Sequence, residues 1–338
     1  MLVNKYIKNN ELYVFPFQIE EKKKVRTIVT YKKDTKGFRL RLFHNRLLLK
    51  LNKFKSSNYS FAYKKGYSTK DAFTSHMKSI LFIKLDIESF FESITKERFE
   101  KYCSKEVKKI GKKKLYTCFY DDHLSLGYVT SPRLSDIYLY KFDLKIENYL
   151  KSHKTLHYSR YSDDILISCE EDNYIELYSF FNFIKKSLNE CELRVNEDKY
   201  KEFNLYKNTS VSFLGLNLKL KDGEYDITIS KRFVVKTLDL VDKLDRVKMQ
   251  KEEVRIELHK ALSELRSNID NNIKDISLQE YLKEKRALYK KLDNKRHIMK
   301  GVIKSRVSYI KFNSLTTYMK FLKKFRNKYN CEWKDYYF

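Results

Sequence analysis

Residues Ser79 to Ile87 read Ser-Ile-Leu-Phe-Ile-Lys-Leu-Asp-Ile, an apolar, β-prone run that stops at a carboxylate, Asp86. A run this apolar predicts a buried strand that delivers Asp86 to its end. Further along, Leu156-His157-Tyr158 and Ile165-Leu166-Ile167 flank Tyr161-Ser162-Asp163-Asp164, two short β-prone runs around a tight polar turn. That pattern predicts a hairpin with both aspartates at its tip. Phosphoryl transfer with two divalent ions about 3.5–4 Å apart needs carboxylates that converge from different chain segments, and Asp86, Asp163 and Asp164 form such a set. An acidic pair at a turn is often just solvated. The chain carries its own control in Tyr120-Asp121-Asp122-His123, which has no apolar β run after it and is expected to be a surface loop.

The remaining pattern is mixed. Short alternations near Leu12–Phe15 and Val25–Val29 predict strands, and the basic, leucine-rich Arg39–Leu51 a helix. Helical segments follow at 95–109, at Leu134–Leu150 behind the entry signal Thr130-Ser131-Pro132, and at 173–190. Strands are expected near 210–217 and 225–229, and nearly everything after 231 is helical and basic. With 71 Lys and Arg against 44 Asp and Glu, the formal charge is +27. An AT-rich genome accounts for lysine over arginine but not for the uncompensated excess, which predicts a polyanionic partner, nucleic acid, bound in a salt-dependent way. The five cysteines are scattered, with no Cys-x-x-Cys pair, so free thiols in a reducing cytoplasm are expected rather than a disulfide framework or zinc cluster. No apolar run suits a signal peptide or the roughly 20 residues of a membrane span, so no membrane partner is expected.

The motifs, in order, resemble those of the reverse transcriptases, particularly the compact bacterial enzymes related to group II introns and retrons. Phe82–Ile94 looks like the family's first palm motif, Gly127–Asp136 the second, Tyr158–Asp164 the third and Leu193–Lys199 the fourth, while Phe213-Leu214-Gly215 resembles the primer grip. The resemblance implies an α+β right-hand polymerase: fingers over 1–81 with 95–123 contributing, a palm of antiparallel sheet backed by helices over 82–229, and a basic helical thumb over 230–338. It implies two Mg²⁺, with Mn²⁺ as a substitute, on Asp86, Ile87, Asp163 and Asp164, and Lys199 as proton donor to pyrophosphate. The dNTP would be met by Lys22, Arg26, Ile87, Phe91 as the gate against a 2′-hydroxyl, Leu126 and Gly127. Template and primer would be met by Thr130, Ser131, Pro132, Tyr161, Phe213, Leu214 and Gly215. His76 matches a family position with a structural role in the fingers. The implied partners are a structured or noncoding RNA template, the DNA product and dNTPs, with a second copy or another protein as a further candidate.

Departures matter as much. Where the family has proline, glutamine and glycine, this chain has Ser125, Leu126 and Gly127, and the usual asparagine on the following helix is Asp136. Leu126 cannot donate a hydrogen bond, so nucleotide contacts must differ. A Val-Thr-Gly is absent after Gly215, which favours a defence-associated enzyme over a standard retron. The activity expected is RNA-directed DNA synthesis. The alternatives are synthesis with atypical templating or priming (untemplated, repeat or protein-primed), or a catalytically silent RNA-binding scaffold. An RNA-making polymerase is disfavoured, because Phe91 would crowd a 2′-hydroxyl.

Overall fold

The computed structural model describes residues 13–21, 24–207, 210–221, 223–270 and 276–334. The chain falls into two compact units, Met1–Leu214 with Leu218–Tyr225, and Gly215–Asn217 with Asp226–Phe338.

The first unit opens with an antiparallel hairpin, Val14–Glu21 (β1) and Lys24–Tyr31 (β2). Thr35–Leu51 (α1) follows, its first turn capped by Asp34, whose carboxylate accepts from the Gly37 amide at 2.7 Å. Thr69–Thr74 (α2) is closed by a capping box between Ser68 and Asp71. Leu81–Asp86 is β3. After the short Phe90–Ser93 (α3), the helical stretch expected at 95–109 is two pieces, Lys96–Tyr102 (α4) and Ser104–Ile110 (α5), and a further short helix, Lys112–Tyr116 (α6), follows it. Breaks fall at Cys103, whose backbone leaves the helical region, and at Gly111, where φ is +91°. Phe119–Tyr120 (β4) and His123–Leu124 (β5) make a minimal hairpin whose turn is the control pair Asp121-Asp122, exposed and at positive φ of 47° and 67°.

Ser131–Leu150 (α7) starts with Pro132 in its first turn, where a missing N–H costs nothing. Leu156–Tyr161 (β6) and Asp164–Cys169 (β7) are the expected hairpin, and Tyr174–Glu190 (α8) follows it. Lys201–Asn204 (β8) completes a four-stranded sheet in the order β6-β7-β3-β8, antiparallel throughout. Leu81, Phe82, Ile83 and Leu85 on β3 are each at most 1% exposed, so both faces of the strand are covered, which is why its sequence is continuous rather than alternating. Phe142 and Ile146 of α7 and Phe180 and Ile184 of α8 belong to the same core cluster as Leu85 and Ile167.

The strand expected over 210–217 is two, Val211–Phe213 (β9) and Leu216–Lys221 (β10), separated by Leu214 and Gly215 at φ of 52° and 84°, and Glu224–Ile229 (β11) follows. The second unit is helical as expected: Lys231–Asp270 (α9), Ile276–Asn313 (α10) and Leu315–Tyr329 (α11). Val247, Val254 and Leu292 form one apolar contact between the two long helices, and Ala261, Leu278 and Leu282 another. Among the described residues no helix is long and apolar enough to cross a membrane.

Candidate active site

Register fixes the carboxylates. Antiparallel pairing of β3 with β7 sets Asp86 directly opposite Asp164, and the Ile87 amide donates to the Asp163 carbonyl at 3.0 Å. The two-residue turn between β6 and β7 consists of Ser162 and Asp163, and such turns need positive φ, which Ser162 supplies at 62°. A non-glycine residue held there is strained by about 1 kcal/mol or more unless its surroundings hold it. Two contacts hold Ser162: its carbonyl accepts from the Arg160 guanidinium at 3.2 Å and its hydroxyl accepts from Tyr63 at 3.1 Å. The result is a cleft of about 310 Å³ lined by Asp86, Asp163, Phe91, Leu126, Tyr63 and Lys199 among others.

The cleft is electrostatically unbalanced. Burial pushes the Asp163 carboxyl above the usual carboxylate range, and the neighbouring Asp164 and Asp86 push it further. Asp164 is raised by burial and by Asp86, partly offset by Lys84, whose ammonium sits 3.4 Å away. Asp86 is 4% exposed and accepts from the Asn196 side chain at 3.2 Å and the Lys199 ammonium at 2.7 Å, while its carbonyl accepts the Asn196 amide at 2.8 Å. Among the described residues no group of three or more acidic, histidine or cysteine side chains is arranged to hold a metal ion by itself. Mg²⁺ generally takes one or two carboxylates together with waters and substrate phosphates. Mutually repelling carboxylates, Asp86 buried and Asp163 and Asp164 half-buried, are a donor set that such an ion would stabilise. Ile87 is 1% exposed and its hydrocarbon side chain has no donor atom, so only its backbone carbonyl could serve as a ligand.

The other residues named from sequence separate into groups. Phe91 and Leu126 line the cleft, and Gly127 is where the loop meets the first hairpin: the Val29 amide donates to the Leu126 carbonyl at 2.8 Å, and a Cβ on Gly127, at φ +106°, would lie 2.3 Å from the Val29 carbonyl oxygen. Gly127→Ala is therefore expected to cost about 1–3 kcal/mol, readable as a lowered denaturation midpoint in urea. Thr130 and Ser131 are buried and Pro132 half-buried at the base of α7, where they shape the loop beneath the surface. Among the described residues the hydroxyls of Ser125, Tyr128 and Ser131 are buried and have no hydrogen-bond partner. Tyr161 is half-buried beside the turn. Phe213 lies 5.5 Å beneath the Lys84 ammonium, so it supports the cation that faces Asp164. Leu214 and Gly215 make the turn described above, at the end of the first unit's main segment. Lys22 and the Arg26 side chain lie outside the described residues; the Arg26 backbone pairs with Ile19 in the first hairpin. His76 is buried, hydrogen-bonded to the Ser168 and Ser159 hydroxyls at 2.7 and 2.8 Å, and burial pulls its pKa down to about 3, so it is a neutral structural group.

Sequence reading missed the groups that hold the carboxylates in place: Asn196, Lys84, Tyr63 and above all Arg160. Arg160 is 1% exposed. Its guanidinium grips Asp143 of α7 through two bonds at 3.0 and 2.6 Å and reaches Asp136 at 3.0 Å, besides the Ser162 carbonyl. Asp136 in turn accepts from the Ser56 and Ser60 hydroxyls, both at 2.6 Å, and pairs with Arg133. The departure at Asp136 thus serves a buried ion network. The i, i+7 spacing of Asp136 and Asp143 on one helix face was the available signal.

A strand end and a hairpin tip thus present converging carboxylates to a cleft beside an aromatic residue. The family model for reverse transcriptase (RNA-dependent DNA polymerase) matches residues 8–218, and the chain belongs to that family. Reverse transcriptases generally use divalent metal ions. Among curated proteins the chain is 27% identical to the retron Ec86 reverse transcriptase of Escherichia coli over 166 residues, which is 46% of this chain and 48% of that protein. It is 32% identical to the retron Ec83 reverse transcriptase of Escherichia coli over 128 residues, 34% of this chain and 41% of that one. The matches thus span less than half the length of these curated relatives. Both are retron enzymes, the group that the missing Val-Thr-Gly counted against. Among solved structures, the telomerase of Candida tropicalis in complex with a fragment of telomeric RNA matches with a TM-score of 0.48 at 10% identity, covering 95% of this chain and 66% of that one.

Proposed function

We propose that the cleft is the active centre of an RNA-directed DNA polymerase that adds dNTPs to a 3′-hydroxyl. The convergence of Asp86 with Asp163 and Asp164 from two paired strands, with Phe91 beside them, carries this reading. Asp86, Asp163, Asp164 and the Ile87 carbonyl would hold two Mg²⁺, or Mn²⁺ in their place. When bound, the ions supply activation of the attacking hydroxyl and neutralisation of the leaving pyrophosphate. The chain does the rest. Lys199, whose ammonium donates to Asp86 at the cleft, is placed to give a proton to pyrophosphate. Phe91 presents a ring where a 2′-hydroxyl would sit, and Lys22 and Arg26 of the first hairpin meet the triphosphate.

Tyr161 and Phe213-Leu214-Gly215 form the primer side, and Thr130, Ser131 and Pro132 set the loop under the template. In this reading 1–81 with 95–123 are fingers, 82–229 palm, and 230–338 a thumb whose basic helices meet the nucleic-acid backbone. The partners are a structured RNA template, its DNA product and dNTPs, with a second copy or another protein as a further candidate. A retron-like or anti-phage defence setting in the cytoplasm fits the relatives and the five free cysteines.

Substrate choice tests the reading. With an RNA template and a DNA primer, the protein should incorporate dNTPs over NTPs, and Phe91→Ala should relax that preference by about 10- to 100-fold. Preference for NTPs in the unaltered protein would overturn it. Leu126 in the cleft favours one second reading, synthesis with loosened templating. Sequencing the product separates the two, because a faithful complement of the supplied template excludes the second.

A further inference from the structure

We infer that the second unit holds a binding pocket for one unstacked nucleotide of a single strand, with its phosphate on Lys300, Lys304, Lys311 and Lys334 and its base against Tyr318 and Trp333. The inference rests on the nucleic-acid reading above only for the nature of the ligand.

Four lysines, a tyrosine and the tryptophan surround a cavity of about 430 Å³, and no acidic residue lines it. That volume is in the range of small-ligand sites. Lys300, Lys304 and Lys311 recur at i, i+4 and i+11 of α10, so one face of the helix brings three ammonium groups to the cavity. The Lys300 ammonium is held below its usual range by burial and then by the nearby Arg296 and Lys248.

The aromatic side of the pocket is fixed by the core. Trp333 packs at steep angles on Phe321 and Phe325, with centroids 5.6 and 5.1 Å away, and both phenylalanines are fully buried. Tyr318 lies on α11 with the Lys311 ammonium 5.8 Å from its ring. Lysines along a groove with aromatic rings between them are the elements that bind single strands without reading their sequence: point charges for phosphate and π-faces for a base. A duplex would leave the rings unused.

Trp333 is the single tryptophan of the chain, so intrinsic fluorescence reports this pocket directly. The full-length protein, without Mg²⁺ and dNTPs, is titrated with a ten-nucleotide oligo-dT, with dTMP, with inorganic tripolyphosphate and with phosphatidylserine vesicles. The expected result is saturable quenching by the oligonucleotide, with dTMP at least 10-fold weaker. Tripolyphosphate should compete the oligonucleotide off, and the Lys304→Gln/Lys311→Gln variant should bind at least 10-fold more weakly. Trp333→Phe, a milder change to the fold, should weaken oligonucleotide binding measured by anisotropy.

Oligonucleotide binding that leaves the fluorescence unchanged, or that survives the double lysine variant, would overturn the inference. A response to vesicles stronger than that to the strand would identify a membrane site instead, and equal affinity for dTMP a free-nucleotide site; each overturns it. Because every arm reads binding, an absence of DNA synthesis would count against the proposed activity and leave this result standing.

Discussion

Asp163→Asn should lower the rate of DNA synthesis by about 10³-fold while leaving the protein folded and more stable. The loss follows from geometry. Asp163 lies at the turn facing Asp86 across the cleft, and an amide there keeps the shape but removes the charge that would hold a divalent ion. The gain follows from the same crowding. Burial and the neighbouring Asp164 and Asp86 raise the Asp163 carboxyl, so in the folded protein its charged form is disfavoured. A raised carboxyl binds its proton more tightly when folded, so its favourable contribution is present below the ordinary value of 3.8 and is lost as pH rises through the raised folded value. At pH 3 wild type and variant should therefore unfold at similar urea concentrations. At pH 7 the variant should be the more stable, by about 1 kcal/mol. Urea denaturation at both pH values, without divalent ions, checks the sign; a variant less stable at pH 7 would mean that repulsion does not dominate this turn. In the same way, metal-dependent activity should fade with falling pH sooner than an isolated carboxylate would predict, since protons compete with the ion for Asp163 and Asp164.

Arg160→Met should be the most damaging single change outside the cleft. Among the described residues it would leave Asp143, which is 0% exposed, with only the Tyr158 hydroxyl as a side-chain partner, and would take one of the two arginines from Asp136. Removing one member of a buried ion network typically costs about 3–5 kcal/mol, because the remaining charge stays desolvated. Arg160→Met/Asp143→Asn should recover part of that loss, since it removes the orphaned carboxylate with its partner. The diagnostic is coupling: in a double-mutant cycle read by denaturation, the two changes should be strongly non-additive, and additivity would show that the network does not act as a unit. Arg160→Lys is informative for activity. It retains charge but not the fork that reaches Asp143, Asp136 and the Ser162 carbonyl together, so the metal requirement should rise through a loosened turn even where the protein folds.

The parts legible in sequence were those in which one strong local pattern decides the outcome. The apolar run ending at Asp86 and the two runs around Tyr161-Ser162-Asp163-Asp164 have no good alternative to buried strands, and the pleat then fixes which ends meet. The control pair Asp121-Asp122 was separable because nothing apolar follows it, and it is indeed an exposed turn. What stayed illegible depends on partners far apart in the chain. Lys201-Glu202-Phe203-Asn204 carries too little apolar pattern to announce a strand, and it forms one at the sheet edge by pairing with β3. The break at Leu214 and Gly215 divides one apparent strand into two, because positive φ at consecutive residues turns the chain. Arg160 looks like an exposed charge before the turn. Its burial was foreseeable only by noticing that Asp136 and Asp143 place two carboxylates on the face of α7 that the sheet covers. Lys84 on β3 and Asn196 reach the carboxylates Asp164 and Asp86 from positions distant in the chain from those partners.

The account is tested most directly by one paired assay. Purified wild-type protein and its Asp163→Asn variant are given a DNA primer on an RNA template with Mg²⁺ and dNTPs, and the products are sequenced. The wild-type protein should make DNA complementary to the template, and the folded variant should make essentially none. Failure of the wild type to extend with either Mg²⁺ or Mn²⁺, or equal synthesis by the variant, would contradict the assignment of Asp86, Asp163 and Asp164 as the centre of a DNA polymerase.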